Sequence, residues 1–333
     1  MHGELVWVIG AGGLLGRAVS TELRRRGNAY PTVLFEGAKV PWEDSELSSS
    51  KLVGQLHRFL GEAAPYIRWK IYWLAGSGVI GTPAETFACE TRVLRNFVEA
   101  LAEALMEPVS EPVAGLTAAE EPLASRGAFF LASSVSVYAG IPGAPYDESS
   151  PVAATSAYSA GKLDNEAVVS ASLTGWLPHV IGRITTLYGP GQNLRKNQGL
   201  VSKLCLQAVK QQPISVFAPL DTIRDYLFAS DAARQAMAFL DAAIASGETA
   251  TRVRDLANGS TLSIGALSSL VRHVSHRRAG ELHVVPVHTG AHVLDLRVRS
   301  QYGYEITGLD RVPIAAGVRR VYEDVLFRYV HGR

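Results

Sequence analysis

Apolar residues run unbroken from Leu5 to Ile9 (LVWVI), and then the spacing changes across RAVSTELRRRG. A continuous apolar run rich in β-branched residues predicts a parallel strand buried on both faces. The stretch after it predicts a helix that Gly27 stops. TVLFE (Thr32 to Glu36) is a second buried strand, ending on an acid. Further strands are predicted at Lys70–Leu74, Ala128–Ala132 and His179–Ile184, with helices at Thr82–Leu105 and Ser156–Ser172. Strands alternating with helices predict a doubly wound parallel sheet covered on both faces, an α/β fold.

Beyond about Pro190 the pattern is less regular, with a strand at Ile214–Phe217 and a helix at Asp231–Ala245. It predicts a smaller α/β lobe, so the chain divides into residues 1–185 and 186–333, with some segments of the second part returning to the first part's sheet. Residues 107–127 carry three prolines among acidic and small residues, and apolar periodicity resumes after them in the same style. They read as an exposed insertion. There is no internal repeat. With 333 residues, 47% hydrophobic and 19% charged, the chain has enough apolar material for a large core.

Net charge is +1, which gives no footprint for nucleic acid or an anionic membrane surface. The two cysteines, Cys89 and Cys205, show no C-x-x-C or zinc-like spacing, so neither a disulfide framework nor a metal is expected. No segment approaches bilayer-spanning length, and the start lacks the pattern of a secretory leader. A cytoplasmic protein is expected.

Gly10, Gly13 and Gly16 form G-x-x-G-x-x-G between the first strand and the first helix, with Leu14 and Leu15 inside the motif. Glycines permit the tight turn and bring backbone amides, at a helix N-terminus, against a pyrophosphate. The alternative, a merely structural turn, explains the placement less well. Glu36 lies 20 residues beyond Gly16 and ends the second strand. A carboxylate there accepts from the ribose hydroxyls of NAD and repels the extra phosphate of NADP. Lys39 and Arg24, Arg25 and Arg26 stand nearby as basic groups able to serve that phosphate, or as a solvated helix end. NAD is the expected cofactor.

YSAGK places Tyr158 and Lys162 one turn apart on one helix face. Free tyrosine has a pKa of about 10, and an ammonium one turn away favours the phenolate that a base needs. Before it, FFLASSVSVYAG (Phe129 to Gly140) is a strand running out into hydroxyl residues, among them Ser134. Such a hydroxyl can orient a substrate oxygen. The competing reading packs Tyr158 and leaves Lys162 in solvent; the order of glycine turn, serines and YSAGK favours the proton-transfer device.

These motifs, with LAG at Leu74–Gly76, SSVSVY, GRITTLYGPGQN at Gly182–Asn193 and IRDYLFASDAA at Ile223–Ala233, resemble the extended short-chain dehydrogenases/reductases. The similarity is to their NAD-dependent nucleotide-sugar epimerases and dehydratases, and runs from Val6 to about Asp324. It implies a Rossmann-type domain, with Ser134 as the catalytic hydroxyl, Tyr158 as base and Lys162 as its partner. It further implies that Leu74, Ala75 and Gly76 line the cofactor, Ser136 faces the sugar, Phe217 covers the base and Arg224 binds the diphosphate. Arg224 has a structural alternative, an ion pair with Asp225 or Asp231.

The chain also departs from the family pattern. Thr186 stands where an asparagine often touches the diphosphate, and Glu90 where an asparagine often supports the active-site helix. The usual C-terminal arginine is not evident; His288 and Arg297 are the nearest candidates. Ser134-Val135-Ser136 replaces the Thr-Asp-Glu of the dehydratases, and valine cannot eliminate water. The resemblance therefore implies 4-epimerisation of a nucleotide sugar, with net reduction of a 4-keto sugar by NAD(P)H as the alternative. A cofactor-binding protein without chemistry is disfavoured by the intact Ser134, Tyr158 and Lys162. The family also implies a homodimer through the helices Pro83–Leu105 and Ser156–Ser172, with Phe87, Val93, Phe97 and Val168 as its apolar surplus.

Overall fold

The computed structural model describes residues 2–26, 31–76, 78–79, 81–106, 122–195, 198–216, 218–276, 282–284, 293–302 and 311–332. Strand β1 (His2–Ile9) is followed by α1 (Leu14–Arg25), β2 (Thr32–Leu34), α2 (Ser45–Ala63) and β3 (Tyr66–Trp73). The first strand begins three residues before the apolar run because its acid is paired. Glu4 accepts from Lys70 of β3 and, at 2.9 Å, from Thr32 of β2. The second helix opens on serines, and its apolar stripe at helical spacing, Leu52, Leu56, Phe59 and Leu60, begins only a turn later. Its buried serines, Ser48 and Ser49, donate instead to the carbonyls of Pro41 and Ser45, both at 2.8 Å.

Next come α3 (Ala84–Met106), β4 (Gly127–Ser134), α4 (Ala157–Leu173), β5 (His179–Ile184) and β6 (Thr186–Tyr188). The rest of the chain supplies α5 (Leu200–Lys210), β7 (Ile214–Val216), β8 (Ile223–Phe228), α6 (Ala229–Ser246), β9 (Arg252–Leu256), β10 (Thr261–Ser263), α7 (Ile264–Ser275), β11 (Leu282–Val284), β12 (Asp295–Leu296) and α8 (Ile314–Val330). The main sheet is six-stranded, in the order β2-β1-β3-β4-β5-β9, and every pairing in it is parallel. It is a Rossmann-type sheet. Strand β9 carries Arg252 and Arg254 on an edge, which is why apolar continuity did not announce it.

Alternate residues of each strand feed two cores. Leu5, Trp7 and Ile9 pack with Trp69, Ile71, Phe129 and the inner faces of α2, α3 and α4. Val6, Tyr72, Phe130 and Val180 pack under α1 and α6. Phe87, Val93, Phe97 and Val168, expected as a surplus for a dimer, are 6%, 3%, 0% and 4% exposed inside the chain. They offer nothing to a partner subunit.

A third core joins α5, α7 and α8 to β6 and β8. There β8 pairs with β6, β10 and β12. Of the expected insertion, residues 107–121 lie outside the described residues. Its end is structured: Leu123–Arg126 is a 3-10 turn and Gly127 opens β4.

Candidate active site

Strand β1 lies between β2 and β3, so successive connections leave it in opposite directions and open a crevice at the strand ends. The Leu74 amide donates to Ile9 O at 2.9 Å, which sets the segment after β3 against the segment after β1. Gly10, at φ 91°, fits only as glycine, because a Cβ would sit 2.6 Å from the Ala75 amide nitrogen. Gly16 is bound in the same way: a Cβ would lie 2.2 Å from Gly10 O. A side chain at Gly12 would meet no atom within 4 Å, so the turn faces open space. Gly13 caps α1 with no side-chain bond to its free amides.

Leu14 is partly buried. The Leu15 side chain is buried in the core, so only its backbone is available to a ligand. Arg17, which the sequence reading did not single out, reaches back over the turn to Gly12 O and, at 2.6 Å, to Gly191 O.

Glu36 is exposed just past β2, where Phe35 N–H donates to Val6 O at 2.8 Å. Of the basic neighbours, Arg26 is paired with Asp241 at 2.8 Å and Arg25 with Glu22 at 3.5 Å. The basic group nearest the Glu36 backbone is Arg58 of α2, unnoticed in the sequence. Its Nη2 donates to Glu36 O at 2.5 Å, and its guanidinium lies 4.4 Å from the Phe35 ring centre.

Ser134 ends β4 and caps a 3-10 turn, Val135–Tyr138, accepting from the Ser136 amide at 3.2 Å. The Ser136 hydroxyl is buried and makes no hydrogen bond among the described residues. Ser156 and Ser159 form a capping box that starts α4 just before Tyr158. The Tyr158 ring stands edge-on to Phe87 at 5.9 Å, and Lys162 Nζ lies 5.8 Å from its centre. Lys162 donates to Ala132 O at 3.1 Å, two residues before Ser134.

A Cβ on Gly76 would lie 3.8 Å from both Lys162 Nζ and Glu90 Oε2. The loop after β3, the lysine and Glu90 therefore converge. Glu90 also accepts from the Gly78 amide at 3.3 Å, so it holds the loop after β3. Ser134, Tyr158, Lys162, Leu74, Ala75 and Gly76 thus come together at one end of the sheet.

In the lobe, Thr186 lies on β6 opposite Tyr226. Arg224 pairs with neither Asp225 nor Asp231. It donates to the carbonyls of Ile223 at 2.7 Å, Leu294 at 3.3 Å and Val293 at 2.8 Å. Burial pulls its pKa down. Asp225 instead accepts from Thr185 at 2.9 Å and from the amides of Asn258 and Gly259 at 2.8 and 2.6 Å. Burial pushes its carboxyl above the usual range. Asp231 holds Arg234 and the Val312 amide. Arg297 forks onto Asp295 at 2.9 and 2.6 Å. Phe217 and His288 lie outside the described residues.

Among the described residues no three His, Cys, Asp or Glu side chains are grouped to hold a metal, and no helix is long and apolar enough to cross a membrane.

A model of the NAD dependent epimerase/dehydratase family matches residues 6–251. No curated protein matches the chain in sequence. Among solved structures, it is similar to a UDP-glucose 4-epimerase of Thermotoga maritima with UDP-glucose, at TM-score 0.72 and 16% identity over 98% of this chain and 99% of that one. It is similar to a UDP-glucuronic acid 4-epimerase of Bacillus cereus with UDP-glucuronic acid and NAD, at TM-score 0.71 and 18% identity over 96% and 98%. It is similar also to MoeE5 with UDP-glucose and NAD, at TM-score 0.69 and 21% identity over 98% and 100%.

Proposed function

The chain belongs to the NAD-dependent epimerase/dehydratase family, and we propose that it is a nucleotide-sugar 4-epimerase acting by transient oxidation at sugar C4. It is an enzyme of the extended short-chain dehydrogenase/reductase type, and its cofactor is NAD. The glycine turn fits that cofactor: Gly12 leaves open space where a side chain would stand, before a helix start without a side-chain cap. NAD, when bound, would supply a reversible hydride acceptor for the sugar carbon.

The observation that carries the reading is the convergence of Tyr158, Lys162 and Gly76 beside the end of β4. Tyr158 takes the proton of the C4 hydroxyl and gives it back after the 4-keto sugar has turned its other face. Lys162, fixed by Ala132 O, supplies positive charge beside the phenol. Ser134 hydrogen-bonds the sugar oxygen and orients it, and the unpartnered Ser136 hydroxyl is available to a second one. Arg224 has two donors, Nε and one on Nη2, beyond its three carbonyl bonds among the described residues, and these meet the diphosphate.

The test is to denature the purified protein, identify the nicotinamide released, and screen UDP-, GDP- and dTDP-sugars on the intact enzyme without added cofactor. Epimerised product from a stoichiometric, retained NAD is expected. Net reduction of a 4-keto sugar that consumes added NAD(P)H would overturn the reading in favour of a 4-keto-sugar reductase.

A further inference from the structure

A chain of buried polar side chains runs behind the serine turn, and the proton transfer described above does not use it. Tyr138 closes the 3-10 turn that Ser134 begins. Its hydroxyl donates to Asp255 of β9, 3.0 and 3.1 Å from the two carboxylate oxygens, and accepts from Arg183 Nη1 at 3.0 Å. Arg183, on β5, forks onto Glu166 of α4 with Nε–Oε1 3.1 Å and Nη2–Oε2 2.7 Å. Glu166 also accepts from the Ser133 hydroxyl at 2.5 Å. All five side chains belong to residues less than a tenth exposed. Tyr138 is held from the other side by Tyr146, stacked at 5.3 Å with the ring planes 4° apart.

The two ends of this chain are informative. Glu166 lies one turn beyond Lys162 on the helix that carries Tyr158. Ser133 adjoins Ser134, and Tyr138 ends the turn that contains Ser136. A buried ion pair adds little net stability against apolar packing of the same volume. What it does supply is a directed geometry, because each donor has one angle at which it is satisfied.

We propose that Glu166, Arg183, Tyr138 and Asp255 are positioning residues that fix the Ser134–Ser136 turn relative to Tyr158 and Lys162. The proposal rests on the reading of that site as the one that oxidises the sugar. Asp255 is faced by Tyr138 from the turn, Arg183 from β5, and Glu148 and Asp147 from the segment before α4. Glu148 accepts the Asp255 amide at 3.0 Å. Burial, reinforced by the Glu148 charge, pushes the Asp255 carboxyl up to about 7. Burial and the Asp255 charge push the Tyr138 phenol well above its usual value, so it stays a donor. Above pH 7 Tyr138 donates to a carboxylate. As pH falls through 7 that acceptor becomes a neutral acid and the hold on the turn weakens.

Two measurements decide it on the enzyme purified with its NAD. In protein labelled with ¹⁵N-serine, the Ser134 and Ser136 amide resonances are expected to titrate with a midpoint near that of Asp255. They should be flat in Asp255→Asn, which keeps an acceptor and cannot ionise. With UDP-glucose as substrate, Tyr138→Phe is expected to lower kcat about tenfold or more, the scale on which small misplacements act, with KM within about twofold. Serine amides that do not respond to pH in the wild type, or respond equally in Asp255→Asn, overturn the proposal. So does full kcat in a folded Tyr138→Phe. Absence of turnover in the wild type with every UDP-, GDP- and dTDP-sugar of that screen would sink the functional reading instead, and the amide titration would still judge the network.

Discussion

Tyr158 and Lys162 share one face of α4, and the lysine is tethered to β4 through Ala132 O. Removing only the phenolic oxygen tests the proton transfer. Tyr158→Phe is expected to lower kcat by roughly 10²–10⁴, the usual worth of a positioned base, while NAD stays bound. Activity within tenfold of wild type would assign the base elsewhere. Glu36 is tested by cofactor titration: its exposed carboxylate at the end of β2 should favour NAD over NADP, and equal affinities would refute the assignment. These residues were legible in the sequence because each role depends on spacing along a single turn or strand end. Arg58 and the carbonyl partners of Arg224 were not legible. Arg58 lies 22 positions from Glu36, and the Val293 and Leu294 carbonyls about 70 from Arg224, and no local spacing reports such a contact.

Elements were legible where burial is two-sided. The inner strands β1, β3, β4 and β5 read as apolar runs, whereas the edge strand β9 and the serine-rich start of α2 did not. The edge strand matters, since it carries Asp255 into the chain of contacts behind the serine turn. Its raised carboxyl has a consequence for stability with a definite sign. The folded state binds a proton at pH values where the unfolded chain, near 4, has lost it. This group's contribution to stability is therefore greatest at acid pH and declines as pH rises from about 4 to about 7. Asp255→Asn should be more stable than wild type at pH 8 by about 1–4 kcal/mol, and the advantage should shrink by pH 5. Urea unfolding at the two pH values checks this. An advantage that grows toward acid would contradict the burial argument.

At the scale of the whole molecule, the apolar faces of α3 and α4 are spent on the sheet. The outer surface of α3 carries Arg92, Arg95, Glu99 and Glu103, with Arg95 and Glu99 paired to each other at 3.9 Å, while that of α4 exposes Asp164, Ala167 and Ala171. A homodimer of the kind the family implies would meet through this surface, charged along α3, and light scattering at micromolar protein measures whether it does. A dimer seen only at low salt is the outcome that such a surface predicts. Arg224 of β8 is the residue proposed above to meet the diphosphate. Its guanidinium is already oriented by three carbonyl bonds, two of them from residues 293 and 294, so little freedom remains to be lost when an anion arrives. Hydrogen bonds to charged groups are worth roughly 1.5–3 kcal/mol, or about ten- to hundred-fold in affinity at 1.4 kcal/mol per decade. Arg224→Ala should therefore weaken UDP binding by that factor and leave NAD binding as it was, because the glycine turn lies between β1 and α1 and Arg224 bonds none of its residues. Calorimetry with UDP and with NAD on the same preparation separates the two. The carbonyl bonds lost in the variant are structural, so circular dichroism and the melting temperature are read alongside. With the fold retained, an unchanged affinity for UDP would place the diphosphate away from β8.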